Sequence, residues 1–324
     1  MRVLITGIGG QDGHFIAKLS HDRGASVLGL SSAPDRARAE LPQSHWPRME
    51  IQGFDFHCAG NVSGVVAAFA PDLIFNCAAK ATGQGMFEAP QEMMRVNAGL
   101  VLDILEAIRN SGRASDIGFC QASSSEMFGH VTSSPQSEAT PFRPKSPYGA
   151  AKLYAHNLVR VYRDTYGLRA SSAILYNHES WRRPLQFVTR KITNGAAAIS
   201  LGLSRELALG SLDIERDWGY APEYANAMFA MAAAPDPADY VIATGRLTSI
   251  RQLCEFAFGR LGLDYRAYVR IDSANRRPVE SHGLCGDPAQ IARELGWRAE
   301  RTMKDIVDEM VDHDLHVLRS APSQ

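Results

Sequence analysis

Tyr148 and Lys152 stand four residues apart behind Ser146-Pro147, a capping residue followed by a first-turn proline. A helix starting there presents both side chains on one face. The ammonium can then lower the pKa of the phenol and also hold a ribose hydroxyl. A phenolate made this way can take the proton of a substrate alcohol while the alcohol carbon gives hydride to a nicotinamide. With 10 Tyr and 6 Lys in 324 residues, a Y-x-x-x-K spacing arises by chance about 0.2 times, so placement has to carry the argument. Upstream, after an apolar run, comes Gln121-Ala122-Ser123-Ser124-Ser125-Glu126. Serines in that place can simply cap the next turn. They can equally set a hydroxyl, Ser124, beside the tyrosine and add Glu126 as acid or base. An alcohol dehydrogenase needs only Ser, Tyr and Lys. A carboxylate beside them suits a second proton transfer, such as removal of the C5 proton of a sugar once C4 is a ketone, with loss of the C6 hydroxyl.

The dinucleotide that such chemistry needs has a candidate seat near the start of the chain. Gly7-Ile8-Gly9-Gly10-Gln11-Asp12-Gly13 lies between a short apolar run and a helical pattern, and Gly7, Gly10 and Gly13 give a G-x-x-G-x-x-G spacing. Residues without Cβ let backbone amides approach a pyrophosphate, whose charge the helix N-terminus stabilises. A site that prefers NAD usually places a carboxylate after the second strand. Leu30-Ser31-Ser32-Ala33-Pro34 has none, and Arg36 and Arg38 follow. That favours the 2′-phosphate of NADP over NAD, unless these arginines only solvate a loop.

The elements that must position these groups follow from pattern. Residues 3–6, 27–30, 51–54, 73–77, 117–121 and 170–175 read as short buried strands. Helices are expected over 15–23 (stopped by Gly24), 96–110 and 147–166. Strands alternating with helices imply right-handed crossovers and an α/β fold with a doubly wound parallel sheet of the Rossmann type. The second half is less regular, with helices expected at 187–198, 224–233, 250–261 and 302–318 and strands only at 240–243 and 265–271. Composition sets the outer bounds. Hydrophobic residues make up 45% and charged residues 21%, a globular balance. Lys plus Arg is 34 against 35 for Asp plus Glu, so nothing in the overall charge points to nucleic acid or an anionic membrane. No apolar run approaches the roughly 20 residues that span a bilayer, and the first apolar stretch is too short for a signal peptide. Five scattered cysteines without a C-x-x-C pair read as reduced thiols, not a disulfide framework or a metal site. A cytoplasmic protein without a metal is the expectation.

The glycine turn, residues 121–129 with their Ser-x-Glu, and Ser146-Pro147-Tyr148-Gly149-Ala150-Ala151-Lys152-Leu153-Tyr154-Ala155 together resemble the extended short-chain dehydrogenase/reductases, and within them the GDP-mannose 4,6-dehydratase family. The similarity continues in Asn177-His178-Glu179-Ser180, Phe187-Val188-Thr189-Arg190-Lys191-Ile192, Arg216-Asp217-Trp218-Gly219, Val241-Ile242-Ala243-Thr244-Gly245 and Arg277-Pro278-x-Glu280, and spans nearly the whole chain. The resemblance implies that Ser124 (usually Thr in the family), Glu126, Tyr148 and Lys152 form the catalytic group. It implies cofactor contacts from Gly7, Gly9, Gly10, Gln11, Asp12, Gly13, Arg36, Asp55, Phe56, Ala78, Ala79, Lys152, His178 and Arg183. It assigns the GDP part of the substrate to Ser124, Asn177, Val188, Lys191, Arg216, Arg277 and Glu280. Residues 1–175, with later contributions near 213–248, would bind the dinucleotide, and 176–212 with 249–324 the sugar nucleotide. A homodimer or homotetramer is the implied assembly.

Residue chemistry is compatible with those assignments. Arg182, Arg183, Arg190, Lys191, Arg216 and Arg277 are candidates for gripping a diphosphate, and alternatively six solvated charges. His178 taken alone reads as a hydrogen-bonded structural histidine, and Trp218 as core. The chain also departs from the family. Ala79-Lys80-Ala81-Thr82-Gly83-Gln84-Gly85 stands where the family carries an Ala-Gln-Ser-His-Val-like stretch, Glu92 where it has a tyrosine, and the arginine-rich loop after the second strand is short. Lys80 faces either ligand or solvent. The expected reaction is GDP-mannose to GDP-4-keto-6-deoxymannose with internal hydride transfer. The alternatives are a related GDP-sugar dehydratase such as one acting on a GDP-heptose, a 4-epimerase, a 4-keto reductase, or a non-catalytic dinucleotide sensor.

Overall fold

Alternating apolar residues decide the architecture. In β1 (Arg2–Thr6), Val3 and Ile5 enter one hydrophobic core and Leu4 another; β4 (Leu73–Asn76) divides Leu73 and Phe75 from Ile74 in the same way. A strand buried on both faces belongs inside a parallel sheet with helices on either side. The computed structural model, which describes residues 1–41, 46–80, 87–272 and 284–320, has that sheet. Its seven strands run β10-β6-β5-β4-β1-β2-β3 and every neighbouring pair is parallel. The further members are β2 (Ser26–Ser31), β3 (Met49–Gly53), β5 (Gly118–Ala122), β6 (Ala170–Leu175) and β10 (Tyr240–Ile242). Helices α1 (Gln11–Asp22) and α8 (Ala221–Ala233) cover one face. Helices α3 (Val62–Phe69), α5 (Leu100–Asn110) and α6 (Pro147–Tyr166) cover the other. The doubly wound fold expected from the sequence is therefore the one observed, and strand order reverses between β1 and β4, which opens a crevice at their carboxyl ends.

A second layer follows β6. The short strands β11 (Leu247–Ser249), β9 (Glu215–Tyr220) and β7 (Asn177–Glu179) form one small sheet, and β12 (Val269–Ile271) pairs with β8 (Leu207–Leu209) in another. Helices α7 (Val188–Ser200), α9 (Ile250–Arg260) and α11 (Met303–Ser320) pack with them around Ile192, Trp218, Phe258 and Ile306. Trp218 is thus core. The register Asn177↔Trp218, His178↔Gly219 sets β7 beside β9 at the mouth of the crevice.

Local chemistry explains where the pattern reading holds and where it fails. Helix α6 begins as expected: Ser146 Oγ accepts the Gly149 amide at 3.0 Å and Pro147 opens the first turn, a cap worth about 1 kcal/mol. The expected helix at 96–110 is instead α4 (Pro90–Met94), a wide π-helical turn over Arg95–Gly99, and α5. The wide turn lets the Asn97 side chain bracket Lys80, accepting from its amide at 3.1 Å and donating to its carbonyl at 3.2 Å. The expected strand at 265–271 starts as a 3-10 turn, because the Asp264 carboxylate accepts the Arg266 amide at 3.0 Å; only Val269–Ile271 is extended. Strand β9 was hidden by its charged Arg216-Asp217. Asp217 is buried because it accepts the amides of Thr244 and Gly245, both at 2.9 Å, and of Gly286 at 3.2 Å. None of the five cysteines is paired. Among the described residues no helix is long and apolar enough to cross a membrane, and no cluster of three His, Cys, Asp or Glu could hold a metal.

Candidate active site

The capped start of α6 delivers Tyr148 to the end of β5. A Cβ at Gly149 would lie 2.6 Å from the Glu126 carbonyl oxygen, so a residue without one lets the helix close against that turn. Ser124 caps the 3-10 turn Ser125–Met127, its Oγ accepting the Glu126 amide at 3.2 Å. Ser124 therefore caps this turn, and its hydroxyl also acts on the Tyr148 phenol, favouring the ionised form. Glu126 is half-buried and its charge acts on the same phenol. Lys152, one turn on, is buried; its Nζ donates to the Ala122 carbonyl at 2.7 Å and lies 5.7 Å from the centre of the Tyr148 ring. Hydroxyl, carboxyl, phenol and amine thus converge.

The charges differ from expectation in one respect. Desolvation pushes the Tyr148 phenol up to about 12; Ser124 and Arg183 pull it down, Glu126 and Asp12 push it further up. The lowering expected from Lys152 does not prevail, because the ammonium is turned to Ala122. Burial brings Lys152 itself down to about 8, with Cys77 and Asp12 opposing. Cys77, which sequence reasoning passed over, is raised well above an ordinary thiol by the same burial.

A buried relay fixes Lys152 from below. Thr6 donates to Asn76 Oδ1, Asn76 Nδ2 donates to Gln121 Oε1 at 2.7 Å, and Gln121 Nε2 donates at 2.7 Å to the carbonyl that holds Lys152. Thr6 also accepts the Ala78 amide at 3.2 Å. Strands β1 and β4 end on a polar residue after an apolar run and β5 carries one next to its end, and that repeated pattern was the signal available for Thr6 and Asn76.

The glycine turn fits a dinucleotide. Gly7 has φ +71° and a Cβ there would lie 2.8 Å from the Ala78 backbone; one on Gly13 would lie 2.4 Å from the Gly7 carbonyl oxygen. No side chain caps the start of α1, which leaves its first amides for an anion. The side chains of Gln11 and Asp12 are spent on protein contacts. Gln11 Nε2 donates to the His178 carbonyl at 3.0 Å and its Oε1 accepts Ser180 Oγ at 2.8 Å, while Asp12 Oδ1 lies 2.8 Å from His178 Nε2. Arg183 sits 3.8 Å over the Phe187 ring, and its charge reaches Asp12, His178 and Tyr148. Phe56 is buried, Ala78 is buried and Ala79 exposed; Asp55 is exposed and accepts the His57 amide at 2.9 Å.

The basic groups divide. Arg36, in α2 (Pro34–Glu40), is 78% exposed and bonds Glu40 at 2.8 Å, whereas Arg38 bonds Asp35 and the Ile51 carbonyl. Arg182 pairs with Glu40 and donates to Gly9 O at 3.3 Å, and Arg190 is buried against Asp314 at 2.5 Å. Neither Arg182 nor Arg190 is therefore placed to grip a diphosphate. Lys191 is exposed on α7, Val188 opens that helix, Asn177 is half-buried on β7 and Arg216 half-buried on β9. Arg277 and Glu280 lie outside the described residues, as do Ala81-Thr82-Gly83-Gln84-Gly85. Lys80, left open between ligand and solvent, is half-buried. Its ammonium pairs with Glu92, whose other oxygen lies 3.4 Å from His57 Nε2, so two departures from the family pattern are one ion pair.

Comparison with known proteins gives the chain's family and fold relatives. A sequence model of the GDP-mannose 4,6 dehydratase family matches residues 4–310. The chain is 41% identical to the GDP-mannose 4,6-dehydratase of Sinorhizobium fredii, over 98% of this chain and 97% of that one. In fold it is similar to the UDP-glucose 4-epimerase of Thermus thermophilus in complex with NAD (TM-score 0.85, 24% identity, 99% and 100% of the two chains). It is also similar to RMD from Pseudomonas aeruginosa complexed with NADPH (TM-score 0.80, 21% identity, 98% and 99%).

Proposed function

The chain belongs to the GDP-mannose 4,6-dehydratase family, and we propose that Ser124, Glu126, Tyr148 and Lys152 carry its conversion of GDP-mannose to GDP-4-keto-6-deoxymannose. The observation that supports this most is that Glu126, on the turn capped by Ser124, brings its negative charge to bear on the Tyr148 phenol. A simple alcohol oxidation would not use it. Tyr148 takes the C4 hydroxyl proton and Lys152 holds a ribose hydroxyl of the dinucleotide. Glu126 then takes the C5 proton, made acidic by the C4 ketone, and passes a proton to the departing C6 hydroxyl with Ser124 assisting, so that one water leaves. A bound dinucleotide would supply the acceptor for the C4 hydride and its donor to C6; the proton held by Tyr148 then goes to the resulting enolate at C5, so that one water is the net loss.

The nicotinamide dinucleotide sits on the turn from Gly7 to Gly13 in this reading, with Gly9, Gly10, Asp55, Phe56, Ala78, Ala79, His178 and Arg183 around it. We assign NADP in preference to NAD, supported by the missing acid after β2 and by the exposed Arg36. Asn177, Val188, Lys191, Arg216, Arg277 and Glu280 are assigned to the GDP moiety.

Incubation with GDP-, UDP-, CDP- and dTDP-sugars, with NADP or NAD added, tests the reading. GDP-mannose should lose one water by mass and give the alkali-induced absorbance of a 4-keto sugar. Consumption of one NADPH per turnover would exclude the internal cycle. Glu126→Gln should still bind GDP-mannose but release no water; near-wild-type turnover removes Glu126 from the mechanism.

A further inference from the structure

Both ring nitrogens of His178 face acceptors. Nδ1 lies 2.7 Å from the Tyr176 carbonyl oxygen and Nε2 2.8 Å from Asp12 Oδ1. A backbone carbonyl cannot donate, so Nδ1 carries a hydrogen, and a second proton must lie between Nε2 and the carboxylate. The surroundings put it on the ring. Burial opposes the ionised form of Asp12, but the charge and hydrogen bond of His178, and after them the Arg183 charge and the Gln11 side chain, hold it below its usual value. His178 is raised by Asp12 although burial, and then Arg183, oppose it. The ring also stacks on Tyr224 from α8, centres 4.7 Å apart and planes 29° apart, and an aromatic face favours a cation.

Asp12 does not act on His178 alone. Its negative charge reaches Tyr148, where it adds to that of Glu126 and works against the phenolate, while Ser124 and Arg183 favour it. It reaches Lys152 and Cys77 as well. A chain that needs a phenolate at Tyr148 has therefore placed a buried carboxylate close by, and among the described residues the group in direct contact that can cancel it is His178. We propose that His178 works as the doubly protonated counter-ion of Asp12, so that the carboxylate's field is cancelled and does not hold Tyr148 in the protonated form in which it cannot act as a base. This makes His178 a positioning residue for the proton transfer, and it rests on Tyr148 being the base.

Two measurements test it separately. The first needs no catalysis. In protein carrying isotope-labelled histidine, one ring should give the carbon and nitrogen shifts of the doubly protonated form throughout about pH 6 to 9. In Asp12→Asn that same signal should move to the neutral form. A wild-type protein with no such persistently charged ring overturns the proposal. The second is the pH dependence of kcat/KM for water loss. His178→Gln leaves Asp12 uncompensated and should move the acidic limb up by about one pH unit, near a tenfold loss at fixed pH below it. Asp12→Asn combined with His178→Gln removes both charges and should bring the limb back. An unmoved limb in the single variant, or a double variant displaced as far as the single, also overturns it. Wild-type protein that releases no water from any GDP-sugar counts against the assignment of Tyr148, and the ring signal still decides the charge of His178.

Discussion

The floor of the crevice and the brace between α7 and α11 both bury charge, and they complete its hydrogen bonding to different degrees. At the brace, Asp314 accepts from Arg190 at 2.5 Å and from Thr193 at 2.7 Å, and Arg190 also donates to the Trp181 carbonyl. Burial raises Asp314 above the ordinary carboxylate range, and Arg190 and Thr193 pull it back. In the floor, the Lys152 ammonium has three hydrogens to give, and Ala122 O is the acceptor it holds. Ser124 and Arg183 favour the ionised form of the Tyr148 phenol beside that ammonium. Burial and shifted acidity occur in both places, so neither marks a site by itself. The brace leaves one buried donor over as well, Arg190 Nε; what distinguishes the floor is that its spare hydrogens, on the Lys152 ammonium, lie beside the Tyr148 phenol.

The largest effect that separates the two regions is expected from Tyr148→Phe. It should cut turnover by about 10³-fold or more, while thermal unfolding stays near that of the wild type, because the ring that fills the space is kept. A loss below tenfold would mean that the phenol is not the base and that the spare capacity in the floor has another use.

Arg190→Met should do the reverse. Removing one partner of a buried pair leaves the other charge unpaired, at a cost of about 3–5 kcal/mol in stability by urea unfolding. Adding Asp314→Leu should recover most of that loss, while turnover per folded molecule stays unchanged in both variants. Lost turnover without lost stability would break the comparison, since the brace would then belong to the site.

How much of this was legible in the sequence depended on chain distance. Tyr148 and Lys152 share a helix whose cap is written in Ser146-Pro147, and Ser124 with Glu126 lies on the turn after β5, so local pattern was enough to nominate them. The glycine turn was legible for the same reason, as was the parallel sheet whose strands carry apolar residues on both faces. Contacts made across the fold were not. Asp12 meets His178 across 166 residues, and the Thr6–Asn76–Gln121 relay crosses three strands. Lys80 and Glu92, seen separately as departures, become one pair only when α4 packs beside the end of β4. The strands β7, β8 and β11 have three residues each, too few for alternation to register.

His14 sharpens the comparison with a smaller effect, because it is a buried titratable group with no counter-ion. It lies on α1 two residues past Asp12, with its ring edge-on to Phe15, Trp46 and Trp181 and its Nδ1 without a partner. Burial chiefly, then Arg182, holds it down to about 3, although Glu40 works the other way. An unfolded chain would protonate this ring near its ordinary value of about 6.5. Between that value and about 3 the unfolded state binds the extra proton, so stability falls as pH falls through this window and is unaffected above it. The loss from this one residue should be about 2 kcal/mol by pH 5. Urea unfolding of the wild type and of His14→Gln at neutral pH and at pH 5 reads it directly, the variant losing less on acidification by that amount. Equal losses would mean that the ring takes up its proton in the folded protein. The contrast with His178, charged by its carboxylate on the other side of the same helix, would then fail.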